Sequence, residues 1–435
     1  MNNSTLAKIV ALEAPTYRNT TKILTLGGMD LTLWDVIKAS LAARLNIGLY
    51  GGAGMGKSQL LADVQGLFGN NASYVLGRND LDIKSLFREM NFAKLKEAQE
   101  KGTAVSQQEM SQVTADIYRP LIVVEEITRC AEIVQNQLFN IFEGFIELDG
   151  KKYSLGGKTI APFSDTDGKK FTQNMHYSVG VWSANFGNGQ YTGTVSMDKA
   201  LKERSHLIID VDNFSPEPSD LDAILLGSGG EIRLKEQEHP IDSTELFTKA
   251  FEQFKQGAYT PNPQELGEEL LMFRYLVFGL DYIPCNSGKN SKRVMKEVWP
   301  GKAEEDNIGN TTEEKLLYRM VYPASVRGAM SIIALARSLR EYVRAKKPNS
   351  KVGVIDSVIE SFKLVGAYSG MLENPQRMRE QYSGNPYLAA SDIGDKLKKR
   401  LPKQLMDAVL VCKSQGKDLP KSVADACVGE YACFK

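Results

Sequence analysis

Histidine and cysteine are scarce in this chain, with 3 His and 5 Cys among 435 residues. The histidines show no metal-ligand spacing, and the cysteines (Cys130, Cys285, Cys412, Cys427, Cys433) are odd in number and scattered. This argues against a zinc site or a disulfide framework and favours free thiols in a reducing compartment. Charge of one sign is lacking too, since 53 Lys and Arg balance 53 Asp and Glu. The chain as a whole is therefore not steered toward nucleic acid or an anionic membrane. The local basic run Lys396–Arg400 reads as a solvated helix face. No stretch approaches the ~20 consecutive apolar residues of a membrane-crossing helix. The start, Met1-Asn-Asn-Ser4, lacks the charge and apolar core of a signal peptide. A cytoplasmic protein without a membrane span is expected. Its 42 % apolar and 24 % charged residues are ordinary for a globular protein, and its length suggests two or three domains.

Glycine is concentrated where it matters chemically. Residues 51–58 read Gly51-Gly52-Ala53-Gly54-Met55-Gly56-Lys57-Ser58 and fit G-x-x-x-x-G-K-[ST]. The apolar run Asn46–Tyr50 precedes them, and a helical-looking stretch from Gln59 to Gln65 follows. A strand would thus deliver the chain to a tight loop whose backbone N–H groups wrap phosphates, with a helix N-terminus adding partial positive charge. Lys57 would reach the β/γ-phosphates and the Ser58 hydroxyl would hold Mg²⁺. Nucleotide-contacting residues are expected over the whole run from Gly51 to Gln59. The competing reading is a glycine-rich strand-to-helix turn with an incidental Lys-Ser.

From Asn46 to Asp212, β-type runs (Ile47–Tyr50, Ser73–Leu76, Leu121–Glu125, Val179–Ser183, Leu207–Val211) alternate with helical patterns, as in a parallel sheet with crossover helices. A helix is expected near Glu132–Glu143, and Phe145–Leu155 alternates around Asp149-Gly150 as a hairpin. Arg88–Arg119, rich in Ala, Lys, Glu and Gln, reads as helices. After Pro218, helical stretches dominate: Ser243–Gln256, Pro263–Phe278, Glu313–Met320, Ser325–Arg344 and Val354–Leu372. A polar loop at Asn286–Thr312 interrupts them.

Leu121-Ile-Val-Val-Glu125-Glu126 is an apolar strand ending in two acids. Glu125 would order the Mg²⁺ shell, and Glu126 would polarise the attacking water. Asp is commoner at the first position; Glu125 is one methylene longer and would act through water. Two solvated acids at a strand end are the alternative. Glu125-Glu-Ile-Thr-Arg129, Gln135–Phe139 and the Phe145–Leu155 hairpin together resemble the Walker B region and pre-sensor hairpin of MoxR-type AAA+ ATPases. Val181–Asn185, Gly189–Thr194 and Ala200–Arg204 are similar to that family's sensor 1 and arginine-finger region, most like the cobaltochelatase ATPase-subunit (dynein-related) branch. Tyr322–Arg327 looks like its sensor 2 motif.

The resemblance implies a fold and a set of roles. The fold is an α/β P-loop NTPase AAA+ module, a parallel five-stranded sheet with flanking helices, plus an α-helical lid and a small helical C-terminal extension. The implied division is an N-terminal segment (1–23), a large nucleotide-binding domain (24–213), a lid (214–372, with the 286–312 insertion) and an extension (373–435). Asn185 would orient water or touch the γ-phosphate. Arg327 would contact its own nucleotide, Arg204 would act in the neighbouring subunit's site, and Arg129 is a further intersubunit candidate. ATP and Mg²⁺ are the implied cofactors, and a homo-oligomeric, hexameric ring with a von Willebrand factor A-domain partner the implied assembly. Two features depart from the family pattern. Glu203-Arg204-Ser205 lacks the aromatic that usually follows the finger, and Arg88–Arg119 shows no Gly-Pro-x-Phe hairpin insertion.

Three functional readings follow. The first is a ring motor that remodels a partner protein or assists metal insertion. The second is a nucleotide-switched binding module with slow hydrolysis, and the third a nucleic-acid motor, against which the balanced charge argues.

Overall fold

A computed structural model describes residues 4–104, 111–148, 150–156, 177–185, 197, 199–228, 242–255, 263–278, 324–372 and 375–400. The expectations at Gly189–Thr194, Asn286–Thr312, Glu313–Met320, Tyr322-Pro323 and 401–435 lie outside these residues.

Strands β1 (Lys22–Leu26) and β2 (Met29–Thr32) form an N-terminal antiparallel pair. The main sheet is built from β3 (Ile47–Gly51), β4 (Ala72–Leu76), β7 (Leu121–Glu125), β10 (Val179–Asn185) and β11 (Leu207–Asp210). All its pairings are parallel, in the order β11-β3-β10-β7-β4. Each of the five runs expected from the sequence is a strand of this sheet. β7 and β10 are almost wholly buried because helices cover both faces, which is why they read as continuous apolar runs. Gly48 leaves the space that the Trp182 indole fills, since a Cβ there would stand 2.1 Å from the ring.

Two shorter antiparallel pairs leave the sheet. β8 (Phe145–Leu148) and β9 (Lys151–Ser154) form the expected hairpin, with Gly150 at φ +74° in its turn. The other pair corrects the sequence reading. Within Arg88–Arg119, β5 (Arg88–Met90) and β6 (Ser111–Val113) pair antiparallel and bracket the helix Phe92–Lys101. Each strand is only three residues long, too short to show a period against an Ala/Lys/Glu background.

On the helical side, Val326–Lys346 and Val354–Val365 pack on each other and on Pro263–Phe278. The second helix stops at Val365, short of the expected Leu372, and Gly370 at φ +77° helps turn the chain. Arg337 and Arg340, one turn apart, both bond Glu269, Arg340 at 2.7 Å with only 1 % of its side chain exposed. Val326–Lys346 is tied to the sheet domain through Leu33–Ala42. Ser338 Oγ donates to the Ala39 carbonyl (2.6 Å), Tyr342 Oη to Asp35 (2.6 Å) and Lys346 Nζ to the same carboxylate (3.0 Å). Asp35 also closes a capping box with Thr32 at the start of that helix. The helix Pro386–Arg400 packs back on the sheet. Tyr387 Oη accepts from the Asp210 N–H (2.8 Å), and its ring meets Phe214 edge-on at 4.9 Å.

Candidate nucleotide-binding site

Because the sheet strands are parallel, the loops after β3, β7, β10 and β11 open at one edge, where α/β folds bind ligands. The chain leaves β3 at Gly51, turns through Gly52–Gly56 and enters the helix Lys57–Gly66. Gly56, at φ +77°, is the helix N-cap residue, and a Cβ there would press on the Tyr17 ring at 3.2 Å. Lys57 Nζ donates to the carbonyls of Gly51 (2.9 Å) and Gly52. Burial lowers its pKa, opposed by the negative charges of Asp212, Asp210, Glu126 and Glu125.

The two acids of β7 occupy different environments. Glu125 Oε1 accepts from Ser58 Oγ, and Glu125 Oε2 accepts from Tyr74 Oη. The Ser58 hydroxyl, next to Lys57 at the start of the helix, and the Glu125 carboxylate in direct contact with it are hard oxygen donors of the kind Mg²⁺ takes when phosphates and water complete its shell. Among the described residues no cluster of three or more His, Cys, Asp or Glu forms an all-protein metal site. Glu126 is left-handed, at φ +55° and ψ +46°, an uncommon conformation for a non-glycine residue. Three contacts hold the turn. The Glu126 N–H donates to Ser183 Oγ (3.1 Å), its carbonyl accepts from the Arg129 N–H (2.8 Å), and its carboxylate pairs with Arg129 Nε (2.9 Å). Arg129, a candidate for contacting another subunit, is thus engaged within its own chain.

Asn185 ends β10 in register with Gly51, so it shares the edge with the glycine-rich loop. Several neighbours escaped the sequence reading. Asp212 Oδ2 accepts from the Gly52 N–H (2.8 Å) and ties the loop to the end of β11. The Asp63 carboxylate accepts from the N–H groups of Thr16 (3.0 Å) and Tyr17 (2.7 Å), and Gln59 donates to Thr16 Oγ1. The N-terminal segment therefore lies against the helix that follows the loop. The acids after Leu207–Ile209 carried the only sequence signal among these, a second strand ending in carboxylates.

Arg204 and Arg327 stand elsewhere. The Arg204 carbonyl and the Phe142 carbonyl both accept from Asn46 Nδ2, at 2.9 and 2.8 Å, and Asn46 immediately precedes β3. Both arginines pair with Glu143, the residue after Phe142: Arg327 Nη2 at 2.7 Å and Arg204 Nε at 3.2 Å. Arg204 also lies over the Phe139 ring, 4.9 Å from its centroid. This Arg–Glu–Arg cluster sits at the opening edge of β3, whereas Lys57 follows its closing edge, roughly 15 Å away for a five-residue strand. Arg327, expected at its own nucleotide, begins the helix that docks through Ser338 and Tyr342 on Leu33–Ala42, and its side chain is paired with Glu143. Beside the cluster, His206 Nδ1 accepts from the Asn46 N–H (2.9 Å). Burial, with the nearby Arg327 and Arg44 charges, pushes His206 down to about 4.

A glycine-rich loop with Lys57, a Ser58–Glu125 contact and Glu126 on the adjoining turn are arranged as in a P-loop fold. Residues 46–152 match the family described as AAA domain (dynein-related subfamily). That AAA match includes Gly51–Gln59, Glu125, Glu126, the β5–β6 pair and the start of the β8–β9 hairpin, and ends before Asn185, Arg204 and Arg327. Among solved structures, the chain is similar to a candidate ATPase from Cytophaga hutchinsonii ATCC 33406. The two share 14 % sequence identity and a TM-score of 0.50, over 82 % of this chain and 87 % of that one. At that identity the likeness speaks for the fold alone. No curated protein matches the chain in sequence. Among the described residues no helix is long and apolar enough to cross a membrane.

Proposed function

We propose that this chain hydrolyses ATP with Mg²⁺ as a subunit of a homo-oligomeric ring, and that each ring site is completed by a neighbour. The observation that carries the reading is the separation of its two halves. Lys57, Ser58, Glu125, Glu126 and Asn185 lie at one edge of the sheet, while Arg204 and Arg327 lie together at the other. Arginine keeps its charge at any accessible pH and presents a planar fork suited to phosphate. Arginines that distant from their own loop, in this reading, serve a second chain's phosphates. In this reading Lys57 and the loop N–H groups bind the phosphates, and Ser58 with Glu125 holds the metal. Glu126 takes the proton of the attacking water, Asn185 orients that water, and the neighbour's Arg204 and Arg327 neutralise charge on the phosphoryl oxygens.

The ring would do MoxR-type work, remodelling a partner protein or assisting metal insertion, with a partner that carries a von Willebrand factor A domain. The motif resemblance from Glu125 to Leu155 supports this part, and hexameric size has the same support. The test is mixing. Glu126→Gln and Arg204→Ala are each expected to abolish turnover, and an equimolar mixture to regain part of it, because some interfaces then join an intact acid to an intact arginine. No regain at any ratio would overturn the shared site.

A further inference from the structure

We infer that Tyr74 is a positioning residue for the metal-binding carboxylate, a role that rests on the metal–nucleotide reading above. Its place follows from the register of the sheet. β4 pairs with β7 so that Leu76 stands beside Glu125, and Tyr74, two residues earlier, points to the same face. Tyr74 is therefore the diagonal neighbour of Glu125, about 7–8 Å away between backbones, a gap an aromatic side chain spans. It does span it, because Tyr74 Oη donates to Glu125 Oε2 while Ser58 Oγ donates to Oε1. One carboxylate is thus held at both oxygens, by groups on two different elements.

The arrangement accounts for the glutamate. A side chain one methylene longer than aspartate has an extra torsion, and a free carboxylate on it would sample rotamers that turn away from Ser58. Fixing Oε2 leaves Oε1 aimed at the hydroxyl. Tyr74 is otherwise half in solvent, at 47 % exposure, on the edge strand of the sheet, so core packing does not explain where its hydroxyl points.

The experiment reads metal binding without turnover. Mn²⁺ is titrated into the full chain with a saturating non-hydrolysable ATP analogue and followed by electron paramagnetic resonance, for wild type, Tyr74→Phe, Glu125→Asp and the double variant. Tyr74→Phe keeps the ring and removes only the donor. It is expected to weaken Mn²⁺ binding about three- to tenfold, the net worth of a typical hydrogen bond. Analogue binding in EDTA is expected to be unchanged. On the Glu125→Asp background, where the shorter acid cannot reach both hydroxyls, Tyr74→Phe is expected to add less than about a twofold effect, as a shared interaction requires. Wild-type Mn²⁺ affinity in Tyr74→Phe, an equal loss on both backgrounds, or a parallel loss of EDTA-insensitive binding would each overturn the role. Absence of metal-dependent analogue binding by the wild type would instead overturn the nucleotide reading, and the role with it.

Discussion

Arg204 and Arg327 meet on one oxygen of Glu143, at 3.2 and 2.7 Å. Two cations on one carboxylate leave positive charge to spare, and both side chains keep some exposure, 25 % and 39 %. A phosphate arriving from a second chain would find two guanidinium groups already gathered.

This placement separates two roles for Arg327. A residue that serves its own site contributes to nucleotide affinity in an isolated subunit, and one that serves a neighbour does not. Arg327→Ala is expected to leave monomer affinity for a fluorescent ATP analogue within about twofold of wild type. Turnover of the assembled protein is expected to fall by about 10³ or more, as for other supplied arginines. A tenfold loss of monomer affinity would return Arg327 to its own nucleotide.

Gly77 controls the turn that carries Glu126. Its N–H donates to the Glu125 carbonyl (2.7 Å), and a Cβ would sit 2.3 Å from the Glu126 carbonyl oxygen. Backbone cannot yield as a flexible side chain can, so Gly77→Ala is expected to displace the left-handed residue. Turnover should fall at least tenfold while ATP-analogue binding through Lys57 persists, measured by stopped turnover and equilibrium titration on the same preparation.

His206 gives the fold an acid limit. Its ring is buried as the neutral form, with Nδ1 accepting from Asn46, and its pKa is pushed down to about 4 from 6.5. Between those values the unfolded chain takes up a proton that the folded chain refuses, so stability falls as pH drops through that window. The loss from this group is on the order of 2 kcal/mol at about pH 5 relative to neutral. Urea unfolding at neutral and acid pH is expected to show that part of the slope missing in His206→Gln. An unchanged slope would place His206 in solvent.

Glu269 is a buried anion of the helical side, shared by Arg337 and the buried Arg340, which also lies 3.9 Å from Glu265. Removing one partner of a buried pair strands the other charge, which costs about 3–5 kcal/mol. Glu269→Ala is expected to lower the melting temperature by several degrees. Replacing Glu269 and Arg340 together by Met is expected to recover much of that loss, since a hydrophobic pair removes the stranded charge.

The sequence by itself determined the parts whose chemistry is local. Gly51–Ser58 must turn tightly and present N–H groups, and Leu121–Val124 must be buried on both sides. Pairs of residues close in the chain, such as Glu125 and Glu126, also keep their relation whatever surrounds them. All five sheet strands and the β8–β9 hairpin were legible for the same reason, because period and turn chemistry act over a few residues. The strands β5 and β6 were not, being shorter than a pattern can be. Long-range packing alone decided which distant residues share a neighbourhood. Docking of Val326–Lys346 on Leu33–Ala42 carried Arg327 to Glu143. Sheet register set Tyr74 against Glu125, and the end of β11 brought Asp212 to Gly52. Such contacts depend on where whole helices and strands come to rest, and no stretch of sequence a few residues long carries that information.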